Sequence, residues 1–251
     1  MIINKFFSLL NRYKTDLPTF TIVGVGPGDP SLLTIAAVDA IKKAKVIVFP
    51  ISDDNKKSFA AEIVKKYTKF KKSIPIIFPM ARKDFDPYAI WSNAVEKIIK
   101  FIQNGEPVVL LCLGDTSLFA SSSNILRIIK QNYPEIITKT IPGISSVSAA
   151  AALNDFDLVK KGETLIIKEC PSSKSELTFL IRESKGNKTV LAIMKVGKRW
   201  NLVRETLKKE DIIKKSLIAL RVGTPEQIIQ NASQYNNETM PYFSLILIRF
   251  D

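Results

Sequence analysis

The chain contains no histidine among its 251 residues. That removes the Ser-His-Asp triad, histidine acid–base catalysis and every histidine-ligated metal site. Cysteine is nearly absent as well. Cys112 and Cys170 stand far apart and fit no metal or redox spacing, so both are expected as buried small hydrophobes in a reducing, cytoplasmic protein, with no metal bound. No apolar run reaches the ~20 residues that a membrane span requires. Internal repeats and low-complexity stretches are missing. So are two nucleotide fingerprints. In "VGVGPGD" (23–29), Gly24 and Gly26 follow an apolar run, but Asp29 stands where a dinucleotide loop has its third glycine, and "KVIVFP" (45–50) offers no acid for a ribose. There is no G-x-x-x-x-G-K-[ST] loop for a nucleoside triphosphate. A chain so equipped is expected to use a reactive cosubstrate and to supply mainly geometry.

What is present is apolar sequence and positive charge. Hydrophobic residues make up 46% of the chain, enough for one large core or two smaller ones. The net charge is +13, and its densest cluster is "KKYTKFKK" (65–72), read as a helix end plus loop. Such a surplus is either a solvated lysine-rich surface or an attraction for a small polyanion. No nucleic-acid module accompanies it, so neither nucleic acid nor a membrane is expected among the partners. The start, "MIINKFFSLLNRYK", lacks a long apolar core and a cleavage site, and residues 1–18 read as an N-terminal extension packed on the body, with a membrane-surface role as the lesser reading.

From residue 19 onward, strands and helices alternate. Strands are expected at 19–26, 45–50, 73–79 and 106–115, and helices at 32–44, 89–105 and near 120–131. This pattern predicts an α/β domain with a largely parallel sheet over 19–134. A second α/β domain is expected over 135–251. It comprises a strand in "TKTIPG", a small-residue helix at 145–153, strands at "ETLIIKE", 188–197, 216–223 and 242–250, and helices near 174–184 and 200–209, with antiparallel partners among its strands. Several apolar strands run into small tight loops: "VGVGPGD", "LCLGDTS", "TIPGISS", "MKVG" and "RVGT". Glycine and proline let a ligand approach backbone closely, and in open α/β sheets ligands lie beyond the carboxyl ends of the strands. A nucleoside without phosphates fits these loops better than NAD or ATP.

The wording of the loops carries a resemblance. "VGVGPGDPSLLT" (23–34), "LGDTSLFASSSNI" (113–125), "IPGISSVSAAAA" (141–152), "MKVGKRWNL" (194–202) and "RVGTPEQII" (221–229) resemble, in order, the motifs of the tetrapyrrole methylases, over about residues 20–250. "IPGISSVSAAAA" and the closing "PYFSLILIR" are most similar to the members that methylate carbon 20 of precorrin-2 or cobalt-precorrin-2 on the way to cobalamin.

The resemblance implies a two-domain α/β fold with mixed sheets flanked by helices. It further implies an active cleft between the domains, a homodimer, and S-adenosylmethionine folded beside a trough for an anionic tetrapyrrole, with the first domain on the trough side and the second on the cofactor side. Carried over position by position, cofactor contacts fall on Pro27, Leu113, Gly114, Asp115, Leu118, Ser145, Ser146, Val196 and Gly223. Asp115 is the one catalytic candidate, with capping of its own loop as the plainer role. Arg82, Lys83, Lys198 and Arg199 are candidates to line the trough. Three departures stand out. Pro50 occupies the place of an aspartate found in sirohaem-type members, Thr116 replaces a usual proline, and "VGKRWNL" is one residue longer than usual. The rival readings are another methylase of this fold, of the rRNA or diphthine type, and a basic nucleic-acid-binding protein without catalysis.

Overall fold

In the computed structural model, residues 19–52, 57–78 and 86–250 are described. The N-terminal extension, together with Arg82 and Lys83, lies outside them. The described chain forms two units, one ending at Ile144 and the other beginning at Ser145.

The first unit is built on five strands: β1 (Thr19–Gly24), β2 (Val46–Ile51), β3 (Lys72–Ile77), β4 (Val108–Cys112) and β5 (Ile137–Ile141). They lie in the order β3-β2-β4-β1-β5, every pairing parallel. Four helices, α1 (Ile35–Lys43), α2 (Phe59–Thr68), α3 (Pro87–Gln103) and α4 (Ser122–Asn132), complete it. The continuous apolar run of β4 has a simple cause. Successive side chains point to opposite faces, and both faces are covered. Phe20, Ile22, Val108, Leu110 and Cys112 pack with α3 and α4, whereas Val23, Ile47, Val109 and Leu111 pack with α1 and α2. Helix starts are capped by side chains: Thr34 Oγ1 accepts from Ala37 N at 3.1 Å, Ser58 Oγ from Ala61 N at 3.4 Å, and Asp86 Oδ1 from Tyr88 N at 2.9 Å.

The second unit holds β6 (Thr164–Glu169), β7 (Thr189–Met194), β8 (Ser216–Leu220), β9 (Ile228–Asn231) and β10 (Ser244–Arg249), with helices α5 (Ser146–Ala152), α6 (Lys174–Lys185) and α7 (Trp200–Lys209). Its order is β6-β7-β10-β8-β9. Only β6 and β7 run parallel; β10 is antiparallel to both β7 and β8, and β9 is antiparallel to β8. Trp200 is fully buried in this core and meets Tyr235 edge-on, with ring centroids 5.8 Å apart.

The expected boundary near Pro134 moves. β5 pairs with β1 from Thr19↔Ile137 to Val23↔Ile141, so residues 135–144 complete the first sheet. Strand pairing decides this, and pairing partners are not written in a local hydrophobic pattern. β9, hidden inside the "RVGTPEQII" motif, is an element that the sequence pattern does not announce.

Candidate active site

The candidate site of the first unit is made from the loops that follow β1, β4 and β5. Because these strands are parallel, all three loops lie at one end of the sheet. The first two are joined by a reciprocal pair of backbone hydrogen bonds, Gly26 N to Gly114 O at 3.2 Å and Gly114 N to Gly26 O at 2.8 Å. The third loop is pressed against them. A Cβ added at Gly143 would stand 2.2 Å from Gly114 O and 2.8 Å from Gly24 C, and one at Gly24 would stand 2.5 Å from Gly143 N. Three backbones therefore touch where any side chain would force them apart.

Gly114 has a second property. Its φ is +73°, and the space its Cβ would enter has no protein atom within 4 Å. The loop thus turns its backbone toward open space while its other side packs on Gly24 and Gly143. This is the arrangement expected of a loop that a ligand approaches at backbone distance.

Asp115 fastens the arrangement. Its Oδ1 accepts from Ser117 N at 2.8 Å and from the Ser117 hydroxyl, and its Oδ2 accepts from Gly143 N at 3.0 Å. Partial burial pushes this carboxyl up. The hydrogen bonds from Ser117, Gly143 and Thr116 outweigh that effect and hold it below the usual carboxylate range. A carboxylate with both oxygens engaged ties the β4 loop to the β5 loop. Its partners are Ser117 and Gly143; the D-T-S wording of an Asx-type turn is the sequence signal for the first, and only tertiary contact identifies the second.

Asp29, which breaks the dinucleotide fingerprint, accepts from Ser31 N at 2.7 Å and caps the short turn Pro30–Leu32. The third-glycine position is thus a cap, not a phosphate cradle. Pro27 and Leu118 are half-buried in the same loops, and Thr116 is buried. Pro50 sits inside β2 opposite Ile76. Both cysteines are buried, as expected, and burial pushes each thiol up, which makes them inert.

In the second unit, Ser145 caps α5, its Oγ accepting from Ser148 N at 3.1 Å, and Ser146 opens that helix. The Val196 side chain is buried in the core, so only its backbone is available to a ligand. The loop around it is fixed by Gly197 N donating to Ser244 Oγ at 2.9 Å. Gly223 has a φ of +79°, and its N–H donates to Gln227 Oε1 at 2.7 Å. Lys198 is exposed, whereas the Arg199 guanidinium donates to the carbonyl of Cys170 and so serves the packing of its own unit.

The model of the tetrapyrrole (corrin/porphyrin) methylases matches residues 19–234. The chain belongs to this family. Among tetrapyrrole methylases it is 32% identical to a probable cobalt-precorrin-2 C(20)-methyltransferase of Methanocaldococcus jannaschii, over 90% of this chain and 94% of that protein. It is 24% identical to a cobalt-precorrin-2 C(20)-methyltransferase of Salmonella typhimurium, over 90% of this chain and 94% of that one. Among solved structures, a cobalt precorrin-4 methyltransferase superposes with a TM-score of 0.71 at 18% identity, covering 92% of this chain and 95% of the other. That likeness establishes the α/β methylase fold.

Proposed function

We propose that this tetrapyrrole methylase transfers a methyl group from S-adenosylmethionine to carbon 20 of precorrin-2 or cobalt-precorrin-2 during cobalamin assembly. The observation that carries this reading is the 32% identity to the M. jannaschii protein across nearly the full length of both chains. The loop geometry supports it, since Gly114 presents backbone to open space at a position that the motif resemblance assigns to the methyl donor. The donor brings a methyl group already activated on a sulfonium sulfur, which is why a chain without histidine suffices.

The work left to this chain is placement. Of the residues proposed to contact the donor, Pro27, Leu113, Gly114, Asp115 and Leu118 lie in the first unit, and Ser145, Ser146, Val196 and Gly223 lie in the second. Asp115 keeps the β4 and β5 loops in register through Ser117 and Gly143, and so sets where the Gly114 backbone stands. Positioning of this kind lowers a barrier by roughly 7–11 kcal/mol in favourable cases. The enzyme works as a homodimer in the cytoplasm. The test is incubation of the purified protein with donor and each form of the substrate. The expected product is heavier by one methyl group, placed on carbon 20 by nuclear magnetic resonance of labelled material. Methylation at another carbon, or of neither substrate, overturns the reading.

A further inference from the structure

A cluster of lysines in the first unit, Lys42, Lys66, Lys69, Lys71 and Lys72, lies at the end of the sheet opposite the Gly26–Gly114 loops. All its strands are parallel, so their N-terminal ends share one edge, and α1, α2 and α3, which lead into β2, β3 and β4, end there too. Contacts join the three junctions into one surface. The Tyr67 ring has Lys66 Nζ 4.9 Å and Lys42 Nζ 5.9 Å from its centroid, which links α2 to α1. Lys71 Nζ donates to Lys42 O at 2.8 Å and to Ala44 O at 2.5 Å, so this one cation is used to close the end of α1. Lys72 lies 4.2 Å over Phe101, which brings in the end of α3.

At the centre is Phe70, 93% exposed, with Lys69 over its ring at 5.5 Å. Among the described residues Lys65 has an ion-pair partner, Glu62, while Lys66, Lys69 and Lys72 have none. Among the described residues, Glu106 and Glu135 stand ahead of β4 and β5 at the same end. Cations near helix C-termini complement the helix dipole, which accounts for lysine in the last turns. It does not account for a fully presented phenylalanine among them, nor for Lys69 and Lys72 beyond the helix.

We propose that this end of the first unit docks on an anionic lipid surface. Lysine acts as a point charge toward lipid headgroups, and an aromatic ring is suited to the boundary between headgroups and acyl chains. Protein interfaces are depleted in lysine, and arginine leads in forked recognition of nucleic-acid phosphates; the stretch 42–78 contains no arginine. The contact is peripheral, since no described helix is long and apolar enough to cross a bilayer. It leaves the loops at the other end of the sheet open, and it is independent of the methylation chemistry.

The experiment is co-sedimentation of the full chain with phosphatidylcholine vesicles, with and without phosphatidylglycerol, at two salt concentrations. Binding is expected to the anionic vesicles only and to weaken with salt. At about fivefold per lysine, the combined substitution Lys66→Gln, Lys69→Gln and Lys72→Gln lowers partitioning by roughly 100-fold. Phe70→Ser weakens binding while keeping its salt dependence. Both variants keep the wild-type circular dichroism spectrum and methyl-donor affinity. Equal binding to neutral vesicles, wild-type partitioning of the triple variant, or tighter capture by an RNA oligonucleotide or polyglutamate at the same salt overturns the proposal.

Discussion

Gly114→Ala separates two roles of one glycine. The residue has a φ of +73°, where an L side chain is strained by about 1–2 kcal/mol. Its Cβ would meet no protein atom within 4 Å, so the substitution adds no steric clash inside the protein. Gly105, in the turn before β4, supplies a matched control: its φ is also +73°, and its Cβ direction is equally open. The two alanine variants should therefore lose the same stability. At about 2–4 °C per kcal/mol for a chain of this size, both melting temperatures fall by about 2–8 °C. They differ in ligand binding. If the methyl donor lies against the Gly114 backbone, the new methyl group occupies its place, and affinity for S-adenosylhomocysteine by calorimetry falls by tenfold or more, about 1.4 kcal/mol. Gly105→Ala leaves that affinity unchanged. Gly114→Val, bulkier still, abolishes binding. Wild-type affinity in Gly114→Ala refutes the placement of the donor at this loop, and a parallel loss in Gly105→Ala shows that the effect is only backbone strain.

Gly143→Ala behaves differently, because its Cβ would stand 2.2 Å from a backbone oxygen that no rotamer can move. A loss of about 3 kcal/mol or more is expected, read as a melting temperature well below that of Gly114→Ala. Asp115→Asn removes a carboxylate whose hydrogen bonds hold it below its ordinary range. A depressed carboxyl stabilises the fold above the unfolded value of ~3.9 and loses that contribution as pH falls through the folded value, so the stability gap between wild type and Asp115→Asn narrows below about pH 4. The single-turnover rate of the wild type shows no acid limb from Asp115, and Asp115→Asn slows it at every pH; an acid limb lost in Asp115→Asn makes the carboxylate a general base instead. If the net charge of +13 guides a polycarboxylate substrate, its apparent affinity falls with salt while that for S-adenosylmethionine stays flat. Equal responses to salt assign the charge to surfaces away from the site.

Most of the first unit was legible in the sequence. The run "EPVVLLCLGD" (106–115) has the continuous apolar character of a strand covered on both faces, and β4 is buried at every position. Ile90, Ala94, Ile98 and Ile102 in the stretch 89–105 mark one helix face; Ala94, Ile98 and Ile102 are buried on α3, and Ile90 is half-buried. The order of glycine loops identified the family through wording that is local and contiguous. Such features are set by propensity and by hydrophobic period, which act over a few residues. Three things were not legible. The unit boundary lay beyond Pro134, because β5 satisfies its backbone on β1, more than a hundred residues earlier in the chain. The use of Asp115 to join two loops depends on Gly143 N, 28 positions away. The contact of Gly24, Gly114 and Gly143 gives each glycine a different reason to be there. Gly143 and Gly24 have no room for a side chain, and Gly114 has room that the protein leaves open. A sequence states that a residue is glycine; whether its missing side chain makes way for another strand or for a ligand is decided by what folding brings within 3 Å of it.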